Sequence, residues 1–156
     1  MSSTPWLSQL GWRAFYSQQL ALDDLKAAFP ARVLGVHRSG VSVASEAGTV
    51  QVALSGALSA APTIGDWALI EHEAPRVLRV LERQSLIART AAGEAPQRQA
   101  IAANIDTLFV VTSCNDEFSK SRLERYLVLA REARVEPVVL LTKAERRFGV
   151  DLLHPF

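Results

Sequence analysis

The chain has 156 residues, 49% of them hydrophobic, and 17 Lys and Arg against 16 Asp and Glu give a formal net charge of +1. This length suits one ordinary domain or two small ones, and the charge excludes nucleic-acid binding through an overall basic surface. The single cysteine, Cys114, excludes an internal disulfide, and the three histidines lack metal-ligand spacing. With no signal peptide and no apolar run of membrane-spanning length, we expect a globular cytoplasmic protein without a bound metal and without membrane contact.

The first predicted element is a helical arm over residues 1–29. Apolar residues from Trp6 to Phe29 recur at roughly helical spacing, and Pro30 ends the pattern. We interpret the aromatic residues of the arm as packing it onto the domain that follows.

Residues 30–87 predict a small β-barrel. Short segments with β-branched residues alternate with turns rich in Gly and Pro, which gives five strands at 32–37, 41–44, 50–55, 67–72 and 77–81. A closed barrel of the OB type fits them, because closure removes the exposed edges of so short a sheet. An SH3-like barrel is the main alternative. We expect Trp67, at the start of the fourth strand, to lie in the barrel core.

Residues 88–99 have the composition of an interdomain linker, and a second domain is predicted from residue 100 to 156. An apolar run at 105–112, an amphipathic helix at 122–134 and another apolar run at 138–141 follow each other. Strand, helix and strand in this order form a βαβ unit, whose parallel strands are buried on both faces and need not alternate.

The last strand delivers Thr142, Lys143, Ala144 and Glu145 to its carboxyl end, where open α/β sheets bind ligands. This tetrapeptide resembles the Asn/Thr-Lys-x-Asp motif with which GTPases read guanine. A carboxylate there can accept hydrogen bonds from the ring N–H and the exocyclic amine of guanine, while the Lys stem lies along the base. Taken alone, the four residues also fit an ordinary turn between a strand and a helix.

Longer segments resemble the ribosome small-subunit-dependent GTPase A family, in the order and with the spacing of that family. They cover nearly all of residues 7–145 and comprise Leu10-Gly-Trp12 with Phe15, Pro30-Ala-Arg-Val33 with His37-Arg38, Leu54-Ser-Gly56, Pro62-Thr-Ile-Gly-Asp-Trp67, residues 81–89, residues 99–106, Arg122-Leu-Glu-Arg-Tyr-Leu127 and the Thr-Lys motif.

The resemblance implies an OB-fold followed by a circularly permuted P-loop GTPase domain, in which the guanine-reading motif precedes the phosphate loop. Thr142, Lys143 and Glu145 would then bind guanine. No GxxxxGK[ST] loop occurs in the 156 residues, so we expect a fragment of a longer GTPase that does not hydrolyse GTP alone. In the full-length family GTP and Mg²⁺ are bound, and zinc is bound by a C-terminal segment; we expect none of them on this chain, except GTP or GDP weakly.

Glu145 departs from the family pattern, which ends in Asp. Its side chain is longer by one methylene, which moves the carboxylate outward and weakens the paired hydrogen bonds to guanine. Residues 146–156 match nothing in the family, and truncation or a change of reading frame near residue 145 would explain both departures.

The resemblance also implies that the barrel binds the small ribosomal subunit and its rRNA during late assembly, with the chain acting as a monomer. OB barrels bind nucleic acids through a strand face and its loops. Seven basic candidates are Arg32, His37, Arg38, Arg76, Arg79, Arg83 and Arg89. Two other functions stay open: a non-catalytic OB-fold RNA-binding protein, and a barrel that binds protein partners.

Overall fold

A computed structural model describes residues 5–46, 48–56, 58–90, 98–115 and 117–143 of the chain. The chain forms two compact units, which divide between Asn104 and Ile105. We call the first the barrel unit and the second the βαβ unit. The sequence had predicted the division before residue 100, which lies within the last strand of the barrel unit, Arg98–Ala103.

The N-terminal arm consists of three short helices and ends at residue 27. The helices are α1 (Pro5–Gln9), α2 (Ala14–Ser17) and α3 (Leu22–Ala27). The predicted arm over 1–29 is therefore wrong at its end, because strand β1 begins at Ala28 and runs through Pro30. This part of β1 pairs with β4 alone, since β2 pairs only from Arg32 onward. A proline, which has no N–H to donate, is accepted in a strand where one side has no partner.

Five strands close into a barrel, namely β1 (Ala28–His37), β2 (Gly40–Ser45), β3 (Gly48–Leu54), β4 (Trp67–Glu71) and β5 (Arg76–Val80). Their order around the barrel is β1-β2-β3-β5-β4, and β4 pairs back onto β1. All neighbours are antiparallel except β3 and β5, which are parallel. This order confirms the five-stranded OB-type barrel.

Strand β4 is covered on both faces. Ala68 and Ile70 belong to the barrel core, whose other buried members are Ala31, Val33, Val41, Val43, Val52 and Val77. Trp67 and Leu69 belong to a second cluster, which includes Leu7 and Tyr16 of the arm. The Trp12 ring meets the Trp67 ring edge-on, with 4.7 Å between the centroids. Trp67 is fully buried, but it lies between the barrel and the arm, so its predicted position in the barrel core is wrong. The arm packs on the barrel as expected.

The barrel unit contains two further strands that the sequence did not predict. Strand β6 (Leu86–Thr90) pairs antiparallel with β7 (Arg98–Ala103). The predicted linker over 88–99 is therefore wrong at both ends, and residues 91–97 lie outside the described part of the chain. Buried alanines, Ala88 and Ala103, pack these strands. Because alanine is depleted in strands, the alanine-rich sequence of this region predicted a linker instead of strands.

The βαβ unit consists of β8 (Thr107–Ser113), α4 (Lys120–Glu132) and β9 (Glu136–Thr142). The two strands are parallel and in continuous register from Thr107↔Glu136 to Ser113↔Thr142, which confirms the predicted pattern. Helix α4 begins after Ser119, whose hydroxyl accepts the Arg122 N–H. Val110 and Thr112 of β8 are buried, whereas Phe109 and Val111 between them are 61% and 62% exposed. Within the described residues, only one face of β8 is thus covered.

Candidate functional site

The carboxyl ends of β8 and β9 lie side by side, because the strands are parallel and Ser113 pairs with Thr142. One residue beyond β8, the Cys114 N–H donates to the Thr142 carbonyl over 2.9 Å. The Thr142 hydroxyl donates to the Thr112 carbonyl over 3.3 Å. Thr142 thus joins the two strand ends through its backbone and its side chain, at the edge where open α/β sheets bind ligands.

Lys143 leaves β9 in a left-handed backbone conformation, with a φ of 56°. A residue with a Cβ adopts this conformation at a cost of about 1–2 kcal/mol. Such strained residues cluster at functional sites, because the surrounding structure must hold them in place. The Lys143 ammonium lies 3.9 Å from Oε2 of Glu117, and 48% of the Lys143 side chain is exposed. Its aliphatic stem is available as a surface for a planar ligand.

The loop between β8 and α4 holds Glu117 beside Lys143. Asn115 organises this loop: its side-chain oxygen accepts the Ser113 hydroxyl over 2.6 Å and the Glu117 N–H over 3.2 Å. Arg122 of α4 donates to the Glu117 carbonyl over 2.8 Å. The sequence analysis did not identify Asn115 and Glu117. Both residues follow directly after an apolar strand, and the βαβ topology places the end of β9 beside that position. This pattern could have identified them.

Of the three predicted guanine-binding residues, Thr142 and Lys143 lie at this edge. The third, Glu145, lies outside the described residues, as do Ala144 and the rest of the chain from there on. The described part of the edge is therefore the end of β8, the loop after it and the end of β9.

Among the seven basic residues predicted to bind RNA, Arg83 is the most deeply engaged in the fold. Its Nε and Nη2 donate to the two carboxylate oxygens of Asp66 over 2.8 and 2.7 Å, and Nη2 also reaches the Ala61 carbonyl over 2.9 Å. Asp66 is fully buried and also accepts the Thr63 N–H over 2.8 Å. The hydrogen bond to Asp66, followed by its Coulomb attraction, raises the pKa of Arg83 against the opposing effect of burial.

Arg79 and Arg32 also hold parts of the barrel unit together. Arg79 donates to the Asp24 carboxylate over 3.0 Å and to the Gln19 carbonyl over 3.2 Å, which ties β5 to the arm. Arg32 donates to the carbonyls of Leu10 and Asn104, and its guanidinium lies over the Trp67 ring, 5.7 Å from the centroid. The contacts of Arg32 use both of its Nη atoms, whereas those of Arg79 use Nη2 alone.

The four remaining candidates are exposed. Arg38 lies in the turn between β1 and β2, and within the described residues its side chain has no hydrogen bond or ion pair. His37 shares a hydrogen bond of 2.6 Å with Ser42. Arg76 pairs with Glu71, and Arg89 donates to the Gln99 side chain. An exposed ion pair contributes little to stability, so the Arg76 guanidinium can turn to another anion at little cost.

The described residues contain no group of three or more His, Cys, Asp or Glu side chains that could hold a metal ion. Among the same residues, no helix combines the length and the apolar composition that a membrane crossing requires.

Comparison with known proteins matches both units of the chain. The family model described as RsgA GTPase matches residues 80–149, so the expectation that residues 146–156 match nothing in the family is wrong for residues 146–149. A small ribosomal subunit biogenesis GTPase RsgA 2 of Vibrio vulnificus is 48% identical over 145 residues, which cover 92% of this chain and 41% of that protein. The RsgA of Mesorhizobium japonicum is 43% identical over 146 residues, with the same two shares. The chain thus spans about two fifths of the length of these relatives.

Two solved structures share the fold. YloQ, described as a circularly permuted GTPase, superposes with a TM-score of 0.57 at 19% identity, covering 76% of this chain and 42% of that one. YjeQ from Thermotoga maritima gives a TM-score of 0.56, with the same identity and shares. At this identity the likeness establishes the fold: an OB-type barrel followed by part of a circularly permuted GTPase domain.

Proposed function

The chain belongs to the RsgA GTPase family over the part of its relatives that it spans, and we propose that it supplies two components of a GTPase acting in biogenesis of the small ribosomal subunit. The barrel unit binds rRNA of the small subunit. The carboxyl edge of the βαβ unit reads the guanine base of GTP or GDP.

The guanine-reading edge is supported above all by one observation, the left-handed conformation of Lys143 at the end of β9. Strained residues of this kind cluster at functional sites, and Lys143 belongs to the tetrapeptide that resembles a guanine-reading motif. In the proposed complex the base lies along the Lys143 stem, and Thr142 keeps the two strand ends together through its bond to Thr112. Glu145 accepts the guanine N–H groups, less well than an aspartate because its carboxylate extends further. The chain therefore binds GTP or GDP weakly.

A titration of the isotopically labelled chain with GDP, followed by NMR, tests this edge, with ADP as the matched control. We expect GDP, but not ADP, to shift the amide signals of Thr142 and Lys143. Glu145→Asp should tighten GDP binding about tenfold, since a bidentate contact to a base contributes roughly 1–3 kcal/mol. If GDP leaves both signals in place even in Glu145→Asp, the edge does not read guanine.

Hydrolysis of GTP requires parts that this chain does not carry. Phosphoryl transfer is stabilised by a phosphate-binding loop and by Mg²⁺, and the 156 residues contain no GxxxxGK[ST] sequence. We therefore propose that the chain alone is not catalytic, and that GTP and Mg²⁺ act in the longer proteins of the family. Single-turnover assays at saturating GTP should give the rate of the buffer control; a faster rate would refute the proposal.

Contact with rRNA is assigned to the exposed basic residues, chiefly Arg38 in the β1–β2 turn and Arg89 on β6, with His37 and Arg76 as further contacts. Arg32 and Arg83 serve the fold instead, because each donates through two nitrogens to carbonyls or a carboxylate of the barrel unit. Arg79 is assigned to the fold as well, because its Nη2 ties β5 to the arm. Since the barrel contains one tryptophan, and that one is buried, phosphate contacts are favoured over base stacking.

A non-catalytic RNA-binding protein remains the second candidate. It is favoured by the contrast between the barrel unit, which has two buried clusters, and the βαβ unit, in which the described residues cover one face of the sheet. The two functions differ in nucleotide dependence. Binding of the chain to small subunits should respond to GDP or GTP under the first function and should be indifferent to both under the second.

A further inference from the structure

The guanidinium of Arg32 connects three parts of the barrel unit that are distant in sequence. Arg32 lies on β1. It donates through Nη1 to the carbonyl of Leu10 in the arm and through Nη2 to the carbonyl of Asn104, 3.0 Å away. The guanidinium carbon lies over the ring of Trp67, the residue that the arm covers, at 5.7 Å from the ring centroid. Asn104 is the last residue of the barrel unit, and we call it the junction residue.

Hydrogen bonds hold both the backbone and the side chain of the junction residue. Its backbone is left-handed, with a φ of 56°. Its N–H donates to Ser85 over 2.9 Å, its side-chain oxygen accepts the Gln84 N–H over 2.9 Å, and its side-chain nitrogen donates to Gly65 over 3.0 Å. Arg32 satisfies the one remaining polar group, the carbonyl. A strained conformation of this kind persists only while its neighbours hold it.

The arm is shaped to reach the same guanidinium. Gly11 follows Leu10 with a φ of 86°, and a Cβ at this position would stand 2.8 Å from Nη1 of Arg32. The backbone conformation favours glycine, and a Cβ here would displace the end of the Arg32 side chain. Arginine donates to the two carbonyls from two separate nitrogens while its charge lies over the indole ring, whereas lysine has a single nitrogen for both carbonyls.

We propose that Arg32 is a coupling residue: it makes the docking of the N-terminal arm and the fixation of Asn104 one cooperative event. When the arm is in place, the guanidinium is held against Trp67 with Nη2 aimed at the junction. When the arm is displaced, the guanidinium loses its Leu10 partner and moves, and the junction carbonyl loses its donor. The arm thereby controls how firmly the chain is held where it leaves the barrel unit.

Hydrogen exchange of the 156-residue chain, followed by NMR, tests the coupling. The reporters are the amides of Asn104 and Gln84, and the amides of β2 in the barrel core serve as the reference for global opening. Gly11→Ala perturbs the arm at its contact with Nη1, and Arg32→Lys removes the bridge while keeping the charge. Each variant should speed exchange of the reporters relative to β2 by roughly three- to tenfold, the effect of losing one hydrogen bond.

The double variant should show no more than the effect of Arg32→Lys alone, since both changes break the same connection. Gly48→Ala is the matched control, because Gly48 also has a left-handed φ, of 107°, but a Cβ there meets nothing within 4 Å. It should leave the ratio of reporter to reference unchanged. The proposal is overturned if Gly11→Ala leaves that ratio at the wild-type value, if its effect multiplies with that of Arg32→Lys, or if Gly48→Ala changes the ratio equally.

Discussion

Replacing Arg83 with methionine should destabilise the barrel unit by about 3–5 kcal/mol, the usual result of removing one partner from a buried ion pair. The Asp66 side chain is fully buried and the Arg83 side chain is 19% exposed. Methionine keeps an unbranched apolar stem, so the loss concerns the guanidinium and its bonds to Asp66 and Ala61. The carboxylate would retain the Thr63 N–H but no opposite charge.

The expected loss is a large part of the stability of a domain, which is typically about 5–15 kcal/mol. For a unit of this size, about 5 °C of melting temperature corresponds to 1 kcal/mol, which gives a fall of about 15–25 °C. Thermal unfolding followed by circular dichroism measures the shift, and urea unfolding gives the free energy. Asp66→Asn in the Arg83→Met background should recover part of the loss, because the unpaired buried charge is then removed.

Arg76→Met is the matched control on the same barrel. Arg76 also pairs through Nε and Nη2 with one carboxylate, that of Glu71, but its side chain is 51% exposed. Its removal should cost less than about 1 kcal/mol. Equal shifts in the two variants, or a loss below about 1 kcal/mol in Arg83→Met, would refute the assignment of Arg83 to the fold and return it to the RNA-binding candidates.

Three further predictions concern pH, RNA and the exposed strand face. Folding raises the pKa of Arg83, so its stabilising contribution is complete below the unfolded-state pKa and is lost only as the pH rises through the higher folded-state pKa. The difference in urea midpoint between wild type and Arg83→Met should therefore be constant through the near-neutral range. Arg38→Ala should weaken binding to small-subunit RNA without changing the melting temperature, and should reduce the slope of log K against log salt by about one in filter-binding assays. Phe109→Ser, on the exposed face, should change the unfolding free energy by less than about 0.5 kcal/mol and should reduce self-association in sedimentation experiments. Val110→Ala, on the covered face, should lower the unfolding free energy by about 2 kcal/mol.

The barrel strands could be predicted because their sequence pattern matches their environment. In β2, Val41 and Val43 face the barrel core, and Gly40 precedes them where a Cβ would stand 2.2 Å from the Val52 carbonyl. Alternation and turn glycines therefore located the hairpin. Strands β6 and β7 gave no such signal, because alanines pack them and a bulge between Ile87 and Ala88 interrupts the register.

The location of the candidate site could be predicted, but the partners of its side chains could not. A βαβ pattern fixes which ends of β8 and β9 meet, and Thr142 and Lys143 follow from that. The roles of the arginines depend on partners that lie 17 residues away for Arg83, 55 for Arg79 and 72 for Arg32. The residues next to an arginine in sequence do not reveal a partner so far along the chain. A basic residue on a barrel strand therefore has the same local sequence pattern whether it binds a phosphate or stabilises the fold.

Strands β4 and β8 show how one sequence pattern can meet two environments. Both are almost continuously apolar, which is typical of strands buried on both faces. In β4 both faces are buried, because Ala68 faces the barrel core and Trp67 faces the arm. In β8 only one face is buried among the described residues: Val110 is buried, while Phe109 and Val111 are exposed. The folding free energy from β8 therefore comes from its buried face, and the exposed pair adds an association-prone apolar surface instead of stability.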